Sequence, residues 1–278
     1  MSDAAVARFH SAALLTCCAL LVGAAAPIPK PKVITVIARD FALELPASIP
    51  AGVTTFRLVN KGKQMHHLSV FRLDSGKTAA EGLKALMDAG HGPRPAWLLP
   101  VGGPQTIMPG TEGVASLALD AGSYLAFCEV PGPTPVPHFM KGMAKGFTVT
   151  GTPSAATMPM ADDSLALSDY TFTFSHPITK GRHVIAVTNN GPQAHMVVIV
   201  RLDHGTTFAK WLEWANDPKG KRPPATASGG ATEMVAGNSV TFVQNFRPGH
   251  YGMICFTGDA KDGKPHFMHG MQQEFEVQ

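Results

Sequence analysis

Apolar positions in this chain recur mostly at every second residue, in short runs closed by Gly, Pro or Asn. VITVIARDFALEL (33–45) and TTFRLVN (54–60) are rich in β-branched and aromatic residues, and ALSDYTFTF (166–174) and RHVIAVTNN (182–190) have the same character. That alternation predicts half-buried β-strands. Two stretches break it. TAAEGLKALMDAG (78–90) and TFAKWLEWAND (207–217) space their apolar residues helically, and Thr78 and Thr207 stand where an N-cap belongs. The proline-rich stretches that follow, HGPRPAWLLP (91–100) and KGKRPPATASGG (219–230), read as loops.

The pattern repeats in residue identity as well as in period. NKGKQMHHLSVFRLDSGKT (60–78) returns as NNGPQAHMVVIVRLDHGTT (189–207), AGSYLAFCEV (121–130) as PGHYGMICFT (248–257), and HFMKGMAKGFTV (138–149) as HFMHGMQQEFEV (266–277). The matches keep their order at nearly constant offset, which is the signature of a duplicated unit. They divide the chain into halves at 32–151 and 164–278, with a small, polar, proline-containing linker at 152–163. Each half is expected to be an all-β sandwich carrying one short helical insertion.

Composition adds limits. The net charge of +3 is spread along 278 residues rather than gathered in Lys/Arg runs, so nothing here is a footprint for nucleic acid. At the N-terminus, Arg8 and His10 precede an apolar run at 12–26 that is too short for a membrane span and fits the h-region of a secretory signal, with cleavage expected after Ala25. Residues 1–25 are therefore expected to be removed, leaving a periplasmic or secreted chain with no transmembrane segment. Export leaves two of the four cysteines, Cys128 and Cys255. A disulfide between them is the ordinary expectation outside the cytoplasm. Equivalent positions in two sandwiches would seldom bring their Cα atoms within reach, which argues for another use.

His66, Cys128, His138 and Met143 align with His195, Cys255, His266 and Met271. Two imidazoles, a thiolate and a weak thioether form a donor set that accommodates both Cu(I) and Cu(II). Around the cysteine, Gly-x-Tyr-x-x-x-Cys occurs twice, at Gly122, Tyr124, Cys128 and at Gly249, Tyr251, Cys255. On a strand, Tyr and Cys four apart share a face. Met140 and Met268 also recur and are alternative axial ligands. His67 and His269 lie beside the set but align with Met196 and Lys141, so the repeat does not support them as ligands. His91, His176, His183, His204 and His250 read as ordinary surface or hydrogen-bonded histidines, and Trp97, Trp211 and Trp214 as packing residues.

On these residues each half resembles the cupredoxins, the plastocyanin and azurin group of blue copper proteins. The resemblance implies two tandem Greek-key β-sandwich domains and up to two copper ions, one per domain. It implies electron transfer with a redox partner protein, or copper storage and exchange with a copper donor or acceptor; a metal-free binding module is the remaining alternative. Two departures stand out. Nine residues separate Cys128 from His138 and ten separate Cys255 from His266, more than in the small electron carriers and nearer the copper nitrite reductases. Conversely, the histidine that flanks the cysteine in multicopper enzymes is replaced by Phe127 and Glu129 in one half and Ile254 and Phe256 in the other. No enzyme is expected.

Overall fold

In a computed structural model of the chain, residues 1, 29–90, 92–132, 135–217 and 222–278 are described. The signal expected at 1–25 falls, apart from Met1, outside them, as does His91. The first half contains β1 (Lys32–Arg39), β2 (Ala42–Glu44), β3 (Ser48–Pro50), β4 (Gly52–Asn60), β5 (Ser69–Leu73), α1 (Ala79–Ala89), β6 (Leu98–Gly102), β7 (Glu112–Leu119), β8 (Gly122–Phe127) and β9 (Ala144–Thr150). The second contains β10 (Asp163–Ser168), β11 (Thr171–Phe174), β12 (Gly181–Asn189), β13 (His195–Leu202), α2 (Phe208–Asn216), β14 (Ala225–Met234), β15 (Ser239–Phe246), β16 (Gly249–Ile254) and β17 (Gln272–Val277). Among the described residues no helix is long and apolar enough to cross a membrane.

Both sheets run through both halves. One has the order β11-β10-β12-β15-β7-β4-β1-β2 and the other β17-β16-β13-β14-β6-β5-β8-β9-β3. The junction in the first is antiparallel pairing of β15 with β7, Phe242 opposite Ala115. Those two residues are repeat equivalents, so the junction is self-complementary in the manner of a two-fold dimer interface. Each half is a sandwich, and the two share their sheets rather than hanging from a flexible linker.

Alternation sorts the side chains. On β5, Val70 faces the core between the sheets, while Phe71 and Leu73 face outward and meet Leu86 of α1. In the second half Val198, Val200 and Leu202 of β13 meet Phe208 and Trp211 of α2. Burial of each such side chain is worth about 1.5–3 kcal/mol, which outweighs the weak intrinsic stability of helices this short. Thr78 and Thr207 cap them as expected; Thr78 forms a capping box with Glu81.

The loops read at 91–100 and 219–230 end in strands. Leu98–Gly102 pairs with β5, and Ala225–Met234 pairs with β13 across two register shifts. Gly230 lies in the second irregular stretch with φ 117°, and a Cβ there would fall 2.0 Å from the Val197 carbonyl oxygen. The glycines that suggested a loop permit a central strand to bulge.

Candidate metal centres

The sandwich end that carries each site is built by three local devices. First, the Asn60 side chain closes the turn before His66: its oxygen accepts from Gly62 N–H and its amide donates to the Gln64 carbonyl. Asn189 does the same for Gly191 and Gln193 ahead of His195. Second, Tyr124 and Tyr251 are buried, and their hydroxyls donate to the carbonyls of Asp120 and Arg247, each 2.8 Å, fixing the entry of the strands that lead to Cys128 and Cys255. Third, a one-turn 3-10 helix places the remaining donors: His138–Lys141 and His266–His269 each end on a glycine, Gly142 (φ 103°) and Gly270 (φ 104°), in the left-handed region where a Cβ would be strained. Backbone bonds then lock the loop, with Cys128 N–H on the Met143 carbonyl and Met143 N–H on the His138 carbonyl, both 3.1 Å, and the same pair at Cys255, Met271 and His266.

These devices bring His66, Cys128 and His138 together in one half and His195, Cys255 and His266 in the other, all fully buried. In the first, Nδ1 of His66 lies 3.1 Å from Nδ1 of His138, and Cys128 Sγ lies 3.9 and 3.6 Å from them. In the second, the corresponding distances are 2.9, 4.0 and 3.6 Å. Both cysteines are free thiols, so no disulfide joins the halves. Met143 and Met271 are completely buried in the adjoining turn, whereas Met140 and Met268 are 53% and 60% exposed, which sets the latter aside as axial ligands.

Proton placement makes the donor triangles informative. His66 Nε2 is 2.7 Å from the Asp40 carboxylate, which can only accept, so the proton is on Nε2 and the lone pair on Nδ1. His138 Nε2 is 3.1 Å from the Gln64 carbonyl oxygen, with the same consequence. Burial pushes His138 down to about 4 and lowers His66 despite Asp40, so both rings are neutral. Two imidazole lone pairs therefore face each other in a dry site, and one thiol proton can satisfy only one of them. His195 is fixed identically by Asp169 at 2.8 Å. Three donors at bond lengths of about 2.0–2.3 Å around one ion would stand about 3.5–3.8 Å apart. The sulfur–nitrogen distances of 3.6–4.0 Å are near this, and the imidazole nitrogens, at 2.9–3.1 Å, would part slightly to admit the ion. The donor set fits copper.

No family model and no curated protein matches the chain. Among solved structures it is similar to a dithionite-reduced auracyanin from the photosynthetic bacterium Roseiflexus castenholzii, at 19% identity over 44% of this chain and 100% of that one, TM-score 0.32. It is also similar to a multicopper oxidase, at 16% identity over 88% of each chain, TM-score 0.25. A third is the copper-containing nitrite reductase of Thermus scotoductus, at 13% identity over 89% of this chain and 62% of that one, TM-score 0.27. The strand order of each half, together with the placement of its donors, decides the fold. Each half folds as a cupredoxin-like β-sandwich.

Several residues around these two sites were not singled out by the sequence reading. Asp40 and Asp169, and Gln64 and Gln193, recur at one constant offset, and that recurrence was the available signal. His67 takes up a tying role of its own: its Nε2 accepts from Glu129 N–H at 2.8 Å, so its Nδ1–H donates to Gln105 Oε1 at 3.2 Å. It thus clamps the residue after Cys128 and is no ligand. Burial holds it neutral, down to about 4. Met196, its equivalent, offers only its backbone N–H to Cys255 Sγ, at 3.5 Å. Between the halves, Arg94 pairs with Glu129 at 3.1 Å and with buried Glu233. Burial of the thiols pushes Cys128 up to about 12 and Cys255 to about 11, so a metal must displace a proton from each to bind.

Proposed function

We propose that this chain is an exported copper protein that holds one ion in each half and carries single electrons. His66, Cys128, His138 and Met143 would hold one ion, and His195, Cys255, His266 and Met271 the other. The observation that carries the reading is the pair of facing Nδ1 atoms beside a buried thiol, present twice. Bound copper supplies a one-electron couple. The residues of this chain do the rest: Asp40 and Asp169 hold the first imidazole of each site in one tautomer, and the buried walls exclude water and substrate.

Electron carriage is favoured over turnover by the complete burial of the histidine and cysteine donors and by the residues flanking the cysteines, none of which is histidine. Export is supported by the apolar run at 12–26, and sequencing the N-terminus of the protein recovered outside the cytoplasm tests it. The copper reading is tested by equilibrium dialysis of the full chain against Cu(II). Two equivalents bound with an intense visible thiolate-to-copper band is the expected result. Failure to retain copper, with no visible band, would leave the metal-free binding module as the better account.

A further inference from the structure

The duplicated sites differ at the second histidine of each. In the first half, His138 Nε2 meets the neutral amide of Gln64. A Cβ built on Gly132 would lie 3.5 Å from that nitrogen and 2.9 Å from the Lys141 ammonium, which also stacks 4.7 Å over the Phe41 ring. The surroundings of His138 are thus an amide and a cation. In the second half, the position equivalent to Gly132 is Asp259, and the position equivalent to Lys141 is His269, which bonds Asp262 at 3.2 Å. Gln193, the equivalent of Gln64, turns away from His266 and donates to Asp259 at 3.0 Å. His266 Nε2 is fully buried without a hydrogen-bond partner, 3.8 Å from Asp259 Oδ2. Asp259 is itself held by the Tyr170 hydroxyl at 2.6 Å.

Resting on the copper reading, we propose that the two copper sites have unequal reduction potentials, the second lower because carboxylates face both of its histidines. Asp169 and Asp259 serve the second site where Asp40 and Gln64 serve the first. A carboxylate behind a ligand imidazole makes it a stronger donor and favours the cupric state. Lys141 near His138 acts in the opposite sense and favours the cuprous state. Glu129, beside Cys128, is paired with Arg94, so Asp40 is the one unneutralised carboxylate described at the first site, against Asp169 and Asp259 at the second. Thr257 puts a hydroxyl near Cys255 where the first half has Val130; a dipole there is outweighed by the full charge of Asp259. A single electron shared between the sites therefore resides on the first.

Redox titration of copper-loaded full-length protein, followed by the visible band, tests this. Cys255→Ser and Cys128→Ser variants assign each midpoint to a site. The second site is expected to be the more negative, by at least tenfold in the Cu(II)/Cu(I) ratio at fixed potential, about 59 mV for one electron. Asp259→Asn should raise that midpoint alone, and Gln64→Glu should lower only the first. Equal midpoints, or midpoints indifferent to both substitutions, would overturn the inference while leaving copper binding intact. Absence of copper would instead defeat the underlying reading.

Discussion

Acidification of the metal-free protein from pH 7 to pH 5 should cost it much of its stability, through three buried histidines. His67, His138 and His266 are each held down to about 4 by burial. In the unfolded chain they titrate at about 6.5. The unfolded state therefore binds more protons in this window, so the stabilisation is fully present above about pH 6.5 and is lost as pH falls toward about 4. Linkage gives about 2 kcal/mol per histidine at pH 5, or about 6 kcal/mol for three, against a total of about 5–15 kcal/mol for a typical domain. His66 and His195, also lowered, add in the same direction. Despite their partial burial, hydrogen bonds from neighbouring amides and imidazoles hold Asp40 and Asp169 below the usual carboxylate range, so their contribution is lost only below about pH 4, outside this window. Glu233, raised by burial, opposes the trend and offsets part of it. Urea unfolding at pH 7 and pH 5 with a chelator present measures the difference, and His67→Gln should remove about a third of it. A midpoint that stays constant between these pH values, or a dependence unchanged by His67→Gln, would refute the reasoning.

Three further outcomes are expected. Arg94→Ala leaves Glu233 buried without its counter-charge and should cost about 3–5 kcal/mol in chemical denaturation, since removing one member of a buried pair strands the other. Asp40→Asn frees the tautomer of His66 and should weaken copper at the first site about 10–100-fold in competition with a chelator, sparing the second. Gly62→Ala should act similarly, because a Cβ there would fall 2.3 Å from Asp40 Oδ1 and 2.7 Å from His66 Nε2, forcing the pair apart; Gly191→Ala should do so at the second site.

Period-two alternation and duplication made the sandwiches and the donor sets legible. Alternation is imposed by the pleat itself, and each donor had a counterpart at a fixed offset. Strand β14 escaped because ATASGGATEM has neither β-branched bulk nor clean alternation; its place in the sheet is set by neighbours on both sides and by glycines that let it bulge. Shared sheets were equally hidden, since no local pattern announces that β7 and β15 pair across the repeat. The roles of Asp40 and Asp169 depend on contacts across more than twenty residues that only the folded chain makes. The repeat excludes His67 as a ligand for want of an equivalent, and the fold agrees; its tying role was hidden because it rests on Glu129 and Gln105, distant in sequence.

X-ray absorption at the copper edge of the fully loaded chain tests the central claim most directly. Both ions should show a shell of two imidazole nitrogens and one short sulfur, and the sulfur contribution should halve in Cys128→Ser and in Cys255→Ser. A shell of oxygen and nitrogen without sulfur would contradict the account, because it would place the copper away from the two buried triangles on which the argument rests.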